Sequence, residues 1–145
     1  MAKKKPDHHD AELVLRVYDL RREPVLRQAR ETLRTEFWPR NAEDAVALTR
    51  GNHPLNGAYR QVGTYWEMVY GIVRHGIVHP GYFLETNGEG LFLYAKVEPY
   101  VAEMRKQTTP LVFRNTEWLA TKCPEGRQLF LVLRARVKKL MESRR

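Results

Sequence analysis

The longest helical repeat in the sequence runs from Leu55 to His75 and constrains the fold most strongly. Apolar side chains recur there every three or four residues, the spacing that places them on one face of an α-helix. Gly76 follows at the position where a left-handed residue often ends a helix. The repeat therefore predicts a central helix with one buried face, formed by Leu55, Tyr59, Val62, Trp66, Val69 and Val73.

Three glycines, Gly57, Gly63 and Gly71, lie within this central repeat. Each lowers the stability of a helix interior by about 1 kcal/mol relative to alanine. Such residues are typical of helices whose backbone lies close to a neighbouring backbone. The sequence therefore predicts close backbone approaches along the central helix.

Similar but shorter repeats occur on both sides of the central one, and no alternating segment of useful length indicates a strand. The pattern predicts an all-α, irregular helical bundle of about six to eight helices, some of them short. Asp10 is the predicted N-cap of the first helix, and Pro99 is expected to bend or unwind its helix near Ala95. The predicted segments are Ala11–Leu20, Pro24–Trp38, Ala42–Arg50, a short helix after His79-Pro80, Leu91–Lys106, a short turn at Glu117–Ala120, and a terminal helix from Pro124.

The length and composition of the chain fit one globular domain. Its 145 residues are 43% hydrophobic and 29% charged, which is enough to form a core without metal or disulfide bonds. We predict a polar tail over residues 1–9 and one helical domain over residues 10–145. The lone Cys123, the lack of a long apolar run and the polar start favour a cytoplasmic protein without a transmembrane segment.

The positive charge of the chain is concentrated near its end. The net charge is +8, and residues 124–145 carry seven Lys or Arg against two Glu. When the terminal segment is drawn as a helix, four cations fall on one side, opposite Leu133 and Val137. This terminal stripe, Arg127, Arg134, Lys138 and Arg145, is either a solvated helix face or an anion-binding or nucleic-acid-binding surface.

No catalytic or metal-binding motif is present in the sequence. His75 and His79 have the spacing of a helical metal pair, but Gly76 and Pro80 place a helix end beside them. We therefore predict no metal, no cofactor and no catalytic residue, and leave open whether the two histidines meet. An enzyme would need a polar cavity near His75, Glu67 and Tyr70.

Two segments resemble a bacterial family of small helical proteins known only as a domain of unknown function. The first is Tyr65-Trp66-Glu67 leading into Ile72–Val78, and the second is Glu98-Pro99-Tyr100 followed by Arg105. The resemblance covers about the middle third of the chain. It implies a helical fold in a bacterial cell and carries no activity, cofactor or site residue. The chain departs from it at Phe92 and Tyr94, where a Trp is expected, and at residues 87–90, where continuous helix is expected.

Three functional hypotheses remain. The first is a non-catalytic interaction protein that binds a partner or a second copy of itself, because a full core and an exposed cationic helix accompany no assembled chemistry. The second is a nucleic-acid-binding protein that uses the terminal stripe and the Lys3-Lys4-Lys5 segment, although no helix-turn-helix is recognisable. The third is an enzyme with a site beside the central helix.

Overall fold

The computed structural model describes residues 3–144, and this part of the chain is all-helical, which confirms the predicted fold class. One short 3-10 helix, Glu98–Tyr100, interrupts the α-helices. The α-helices are α1 (His8–Arg21), α2 (Pro24–Glu36), α3 (Ala42–Leu48), α4 (Asn56–Arg74), α5 (Pro80–Leu84), α6 (Glu89–Val97), α7 (Val101–Gln107), α8 (Arg114–Thr121) and α9 (Pro124–Ser143).

Helix α4 is the central helix that the repeat predicted. It packs between α2 and α8, while α9 packs against α5, α6 and α8. Four residues of the predicted stripe are buried, namely Val62, Trp66, Val69 and Val73. The other two, Leu55 and Tyr59, are partly buried and pack against the core. None of the described helices combines the length and apolar character needed to cross a membrane.

Pro99 interrupts the predicted long helix as expected, but two residues later than the predicted position near Ala95. The α-helical hydrogen bonding continues through Val97, and the chain then tightens into the 3-10 helix before α7 begins. Proline lacks the N–H that would bond to the carbonyl of Ala95, and its ring crowds that turn. The tighter turn at Glu98–Tyr100 is how the chain accommodates the ring while keeping a nearly continuous helical path.

The first helix begins earlier than the sequence indicated, because Asp7 and not Asp10 is its N-cap. The Asp7 carboxylate accepts the Asp10 amide at 3.1 Å, and the Asp10 carboxylate accepts the Asp7 amide at 2.9 Å. This is a reciprocal capping box. Asp10 also accepts the amide of His79, which joins the start of α1 to the start of α5. The predicted tail boundary therefore falls within α1.

The prediction that the backbone of α4 lies close to neighbouring backbones at its glycines is wrong. No atom lies near the position of a Cβ at Gly57, Gly63 contacts only the Tyr59 ring, and Gly71 faces the Asn115 side chain. The close approach occurs instead at Gly126 in α9, where a Cβ would overlap the carbonyl of Leu119 in α8. Gly126 therefore sets how tightly α8 and α9 pack.

Candidate binding site: an arginine cleft

A basic cleft runs between α2, α6 and the last turns of α9. It consists of two adjoining depressions of about 590 and 490 Å³ that share Arg34 and Glu89. We call it the arginine cleft. Its charged residues are Arg27, Arg30, Glu31, Arg34, Glu89, Arg136 and Arg144, and its main apolar residues are Trp38, Phe92, Leu133 and Leu140.

Helical spacing explains why these arginines converge. Arg27, Arg30 and Arg34 recur at three- and four-residue intervals on α2, so they share one face. The neighbouring stripe of α2, Leu26, Ala29 and Leu33, is buried in the core. The arginine stripe is rotated from it by about 100° around the helix, so it lies at the rim of the core. On α9, Leu133, Arg136 and Leu140 share a face in the same way, and Arg144 follows one turn later.

Glu89 fixes the centre of the arginine cleft. Its Oε2 atom accepts two hydrogen bonds, one from the Nε of Arg30 at 2.8 Å and one from the indole N–H of Trp66 at 3.1 Å. Arg34 pairs with Glu31 at 2.7 Å. Within residues 3–144, Arg27 and Arg136 have no carboxylate within ion-pair distance. Five arginines against two glutamates leave this surface with a net charge of +3.

One end of the arginine cleft is closed by a cluster of cations around Trp38. The Nζ atom of Lys96 lies 3.9 Å from the centre of the Trp38 ring, and the guanidinium carbon of Arg144 lies 4.6 Å from it. Lys96 is only 5% exposed, and it donates to the carbonyls of Leu33 and Phe37 at 3.1 and 2.9 Å. It therefore caps the end of α2. Burial lowers the pKa of Lys96 to about 7, and the charges of Arg144 and Arg34 act in the same direction.

The comparisons with known proteins identify the family. The family model described as "Domain of unknown function (DUF4760)" matches residues 6–123. The chain belongs to this family. The match covers most of the chain, well beyond the middle third in which the resemblance was recognised. No curated protein and no solved structure gives a match.

The matched DUF4760 segment contributes one wall of the arginine cleft. It contains α2 and α6 and ends just before α9 begins. Arg136 and Arg144 therefore lie beyond it, and the cleft forms where the terminal helix packs on the matched segment. The family description carries no activity.

The predicted terminal stripe lies on the other side of α9. Arg127, Arg134 and Lys138 are exposed there, while Arg145 lies outside the described residues. Arg134 pairs with Glu98 at 3.3 Å, and its guanidinium lies 5.5 Å from the Phe130 ring. The stripe therefore borders the buried face of α9 and does not lie opposite it. The arginine row of α2 was visible in the sequence at the same spacing but was not recognised there.

The two histidines with metal-like spacing lie at two different helix ends in this DUF4760 protein. His79 caps α5, where its Nδ1 accepts the Tyr82 amide at 3.0 Å, and His75 follows the end of α4. Within residues 3–144, one trio places its possible ligand atoms within metal-binding reach of one another: His8, His9 and Glu12, all exposed in α1. It includes neither His75 nor His79.

The three residues named for a possible enzyme site lie in three different parts of the fold. His75 lines a depression of about 500 Å³ beside Cys123, where burial raises the pKa of the thiol. Glu67 accepts the backbone amides of Asn115 and Thr116 at the start of α8. The buried Tyr70 hydroxyl donates to the Asn87 carbonyl and accepts the Leu91 amide. The polar cavity required by the enzyme hypothesis is not formed by these residues.

Proposed function

We propose that this protein is a non-catalytic interaction protein of the bacterial cytoplasm that binds an acidic segment of a partner protein in the arginine cleft. The observation that carries the proposal is the convergence of Arg34 with Arg136 and Arg144. These residues come from opposite ends of the chain and meet over an apolar floor that includes Phe92. Like charges repel when they are brought together, so an anionic partner stabilises this arrangement.

The lining of the arginine cleft favours a protein segment over a nucleic acid. Duplex DNA presents about one negative charge per 1.7 Å along its axis. Because these charges are evenly spaced, some phosphates would lie beside the carboxylates of Glu31 and Glu89 and be repelled by them. A peptide can place its carboxylates at the arginines and apolar side chains on Leu133 and Leu140. Single-stranded nucleic acids also need free aromatic faces for stacking, whereas the buried Lys96 already lies against the Trp38 ring.

The charge of the chain also favours a different protein as the partner. With 25 basic and 17 acidic residues, two copies of this chain repel each other on average. An acidic partner gains attraction at long range and then finds apolar contacts in the cleft. Self-association is the alternative. Sedimentation of the isolated protein tests it by measuring whether the protein is a monomer or an oligomer.

The matched test uses two triple variants with equal loss of charge. One variant replaces the cleft residues Arg34→Gln, Arg136→Gln and Arg144→Gln, and the other replaces the terminal stripe residues Arg127→Gln, Arg134→Gln and Lys138→Gln. The probe is a fluorescent peptide that alternates glutamate with leucine, measured by anisotropy. We expect the cleft variant to bind about a hundredfold more weakly, since each lost ion pair contributes about 1 kcal/mol. We expect the stripe variant to retain most of the affinity.

Two controls separate the alternatives. A peptide with glutamine in place of glutamate should not bind either protein. Equal losses in both variants would mean that the peptide responds only to net charge, which contradicts a defined site. Preferential loss in the stripe variant, together with tight, salt-sensitive binding of a single-stranded oligonucleotide, would support the nucleic-acid hypothesis instead.

A further inference from the structure

The indole N–H of Trp38 is a buried donor without an acceptor. Among the side-chain nitrogen and oxygen atoms buried within residues 3–144, it is the one that forms no hydrogen bond. Buried polar groups are nearly always paired in folded proteins, so an orphan donor indicates a missing acceptor. The ring of Phe92 is perpendicular to the indole at 6.3 Å and offers at most a weak π acceptor.

Arg144 covers this end of the arginine cleft but is held there loosely. Its guanidinium lies over the indole at 4.6 Å and donates one hydrogen bond, to the carbonyl of Thr35 at 3.2 Å. It is exposed and follows the last residue of α9. A long side chain at a helix end changes rotamer readily because few contacts restrain it. The cover over Trp38 can therefore be displaced without unfolding.

The surroundings of the orphan donor suit an anion attached to an apolar body. Lys96 lies 3.9 Å from the indole ring, and Arg136 lines the same depression as Trp38. Leu133, Leu140 and Phe92 form the apolar part of that depression. A carboxylate there accepts the indole N–H through one oxygen and pairs with a guanidinium through the other, which is the strong form of hydrogen bond.

We propose that the Trp38 end of the arginine cleft is a carboxylate subsite, in which an acidic side chain of the partner moves Arg144 off the indole and accepts the Trp38 N–H. This rests on the proposed function, because the carboxylate belongs to the acidic segment bound in the cleft. Arg144 turns from a cover into a ligand-binding group, and Trp38 determines where along the cleft the acidic residue is placed.

The first experiment removes the indole donor and keeps an aromatic ring. In the full-length protein, Trp38→Phe is expected to bind the glutamate–leucine peptide about tenfold more weakly than the unsubstituted protein. The matched control is Trp118→Phe, at a tryptophan that lines the separate depression beside His75. It is expected to leave the affinity unchanged. Far-ultraviolet circular dichroism and thermal unfolding of both variants establish that they are folded.

The second experiment needs no substitution and so does not depend on folding of a variant. The chain has three tryptophans, Trp38, Trp66 and Trp118, which give three indole N–H resonances in a proton–nitrogen spectrum. Titration with the peptide is expected to move the Trp38 resonance downfield as its proton gains an acceptor, and to leave that of Trp118 in place. A glutamine–leucine peptide should move neither resonance.

The outcomes separate this inference from the proposed function. If the cleft triple variant loses binding while Trp38→Phe binds normally and the Trp38 resonance stays fixed, the subsite is overturned and the proposed function stands. If the cleft triple variant binds normally, the proposed function fails, and the subsite fails with it. Loss of affinity in Trp38→Phe together with movement of the Trp38 resonance supports both.

Discussion

The amine of Lys96 lies 3.9 Å from the centre of the Trp38 ring and donates to the last carbonyls of α2. This contact joins the end of α2 to α6 at one end of the arginine cleft. Few lysines are so deeply buried, because desolvation disfavours the ammonium form. The carbonyls and the ring provide the polar partners that make this burial tolerable.

The burial of Lys96 makes stability depend on pH. The pKa of Lys96 is about 7 in the folded protein and about 10.4 in an unfolded chain. Between these values the unfolded state binds more protons, so the free energy of unfolding rises with pH, by up to about 1.4 kcal/mol per unit. Lys96→Met removes this contribution. Urea unfolding between pH 7 and 10 should show that the free energy of unfolding of the unsubstituted protein rises with pH relative to that of Lys96→Met. Parallel curves for the two proteins would contradict this prediction.

The carboxylate of Glu67 caps α8 from a different helix. It accepts the amides of Asn115 at 2.9 Å and Thr116 at 2.8 Å, and the Thr116 hydroxyl at 2.6 Å. Glu67→Gln replaces one acceptor oxygen by a donor that faces another donor. We expect the free energy of unfolding to fall by about 1–2 kcal/mol.

Chemical denaturation measures this loss, and Glu142→Gln is the matched control. Glu142 is exposed near the end of α9, and its side chain makes no hydrogen bond within the described residues. It should change stability by less than about 0.5 kcal/mol. Equal stabilities of Glu67→Gln and the unsubstituted protein would show that the cap does not stabilise α8.

Two glycine substitutions should shift stability in opposite directions. A Cβ at Gly126 overlaps the carbonyl of Leu119, so Gly126→Ala must push α8 and α9 apart and should lower the free energy of unfolding by about 1–3 kcal/mol. Gly57 lies in α4 with open space around it, so Gly57→Ala should raise it by about 0.5–1 kcal/mol. Thermal unfolding of the pair checks both signs. A gain at Gly126 would contradict the tight packing of these helices.

The sequence predicted the parts of the fold that depend on local spacing and capping. The limits of α4 agree within one residue, and Pro99 interrupts its helix, because periodicity and proline act within a few residues. Asp7 was missed as the N-cap because Asp10 has the same chemistry, and the choice between them depends on contact with α5. The glycine prediction failed because spacing does not reveal which helix lies opposite Gly57.

The candidate site was harder to predict because it is tertiary. Periodicity groups cations along one helix, which identified the terminal stripe, but it does not show that Arg34 and Arg136 face each other across a cleft. Nor does composition indicate that Lys96 is buried beneath Trp38. The arginine row of α2 was the available signal, and its meaning depended on the packing of α9.

The most direct test of the arginine cleft is a map of backbone amide chemical shifts during titration with the glutamate–leucine peptide. The cleft predicts the largest changes along residues 27–38 of α2 and its end, at Glu89, and at Arg136. Binding at the terminal stripe would instead change Arg127 and Glu98, the residue that pairs with Arg134. Changes confined to those stripe residues, or no saturable change at all, would contradict the cleft as the binding site.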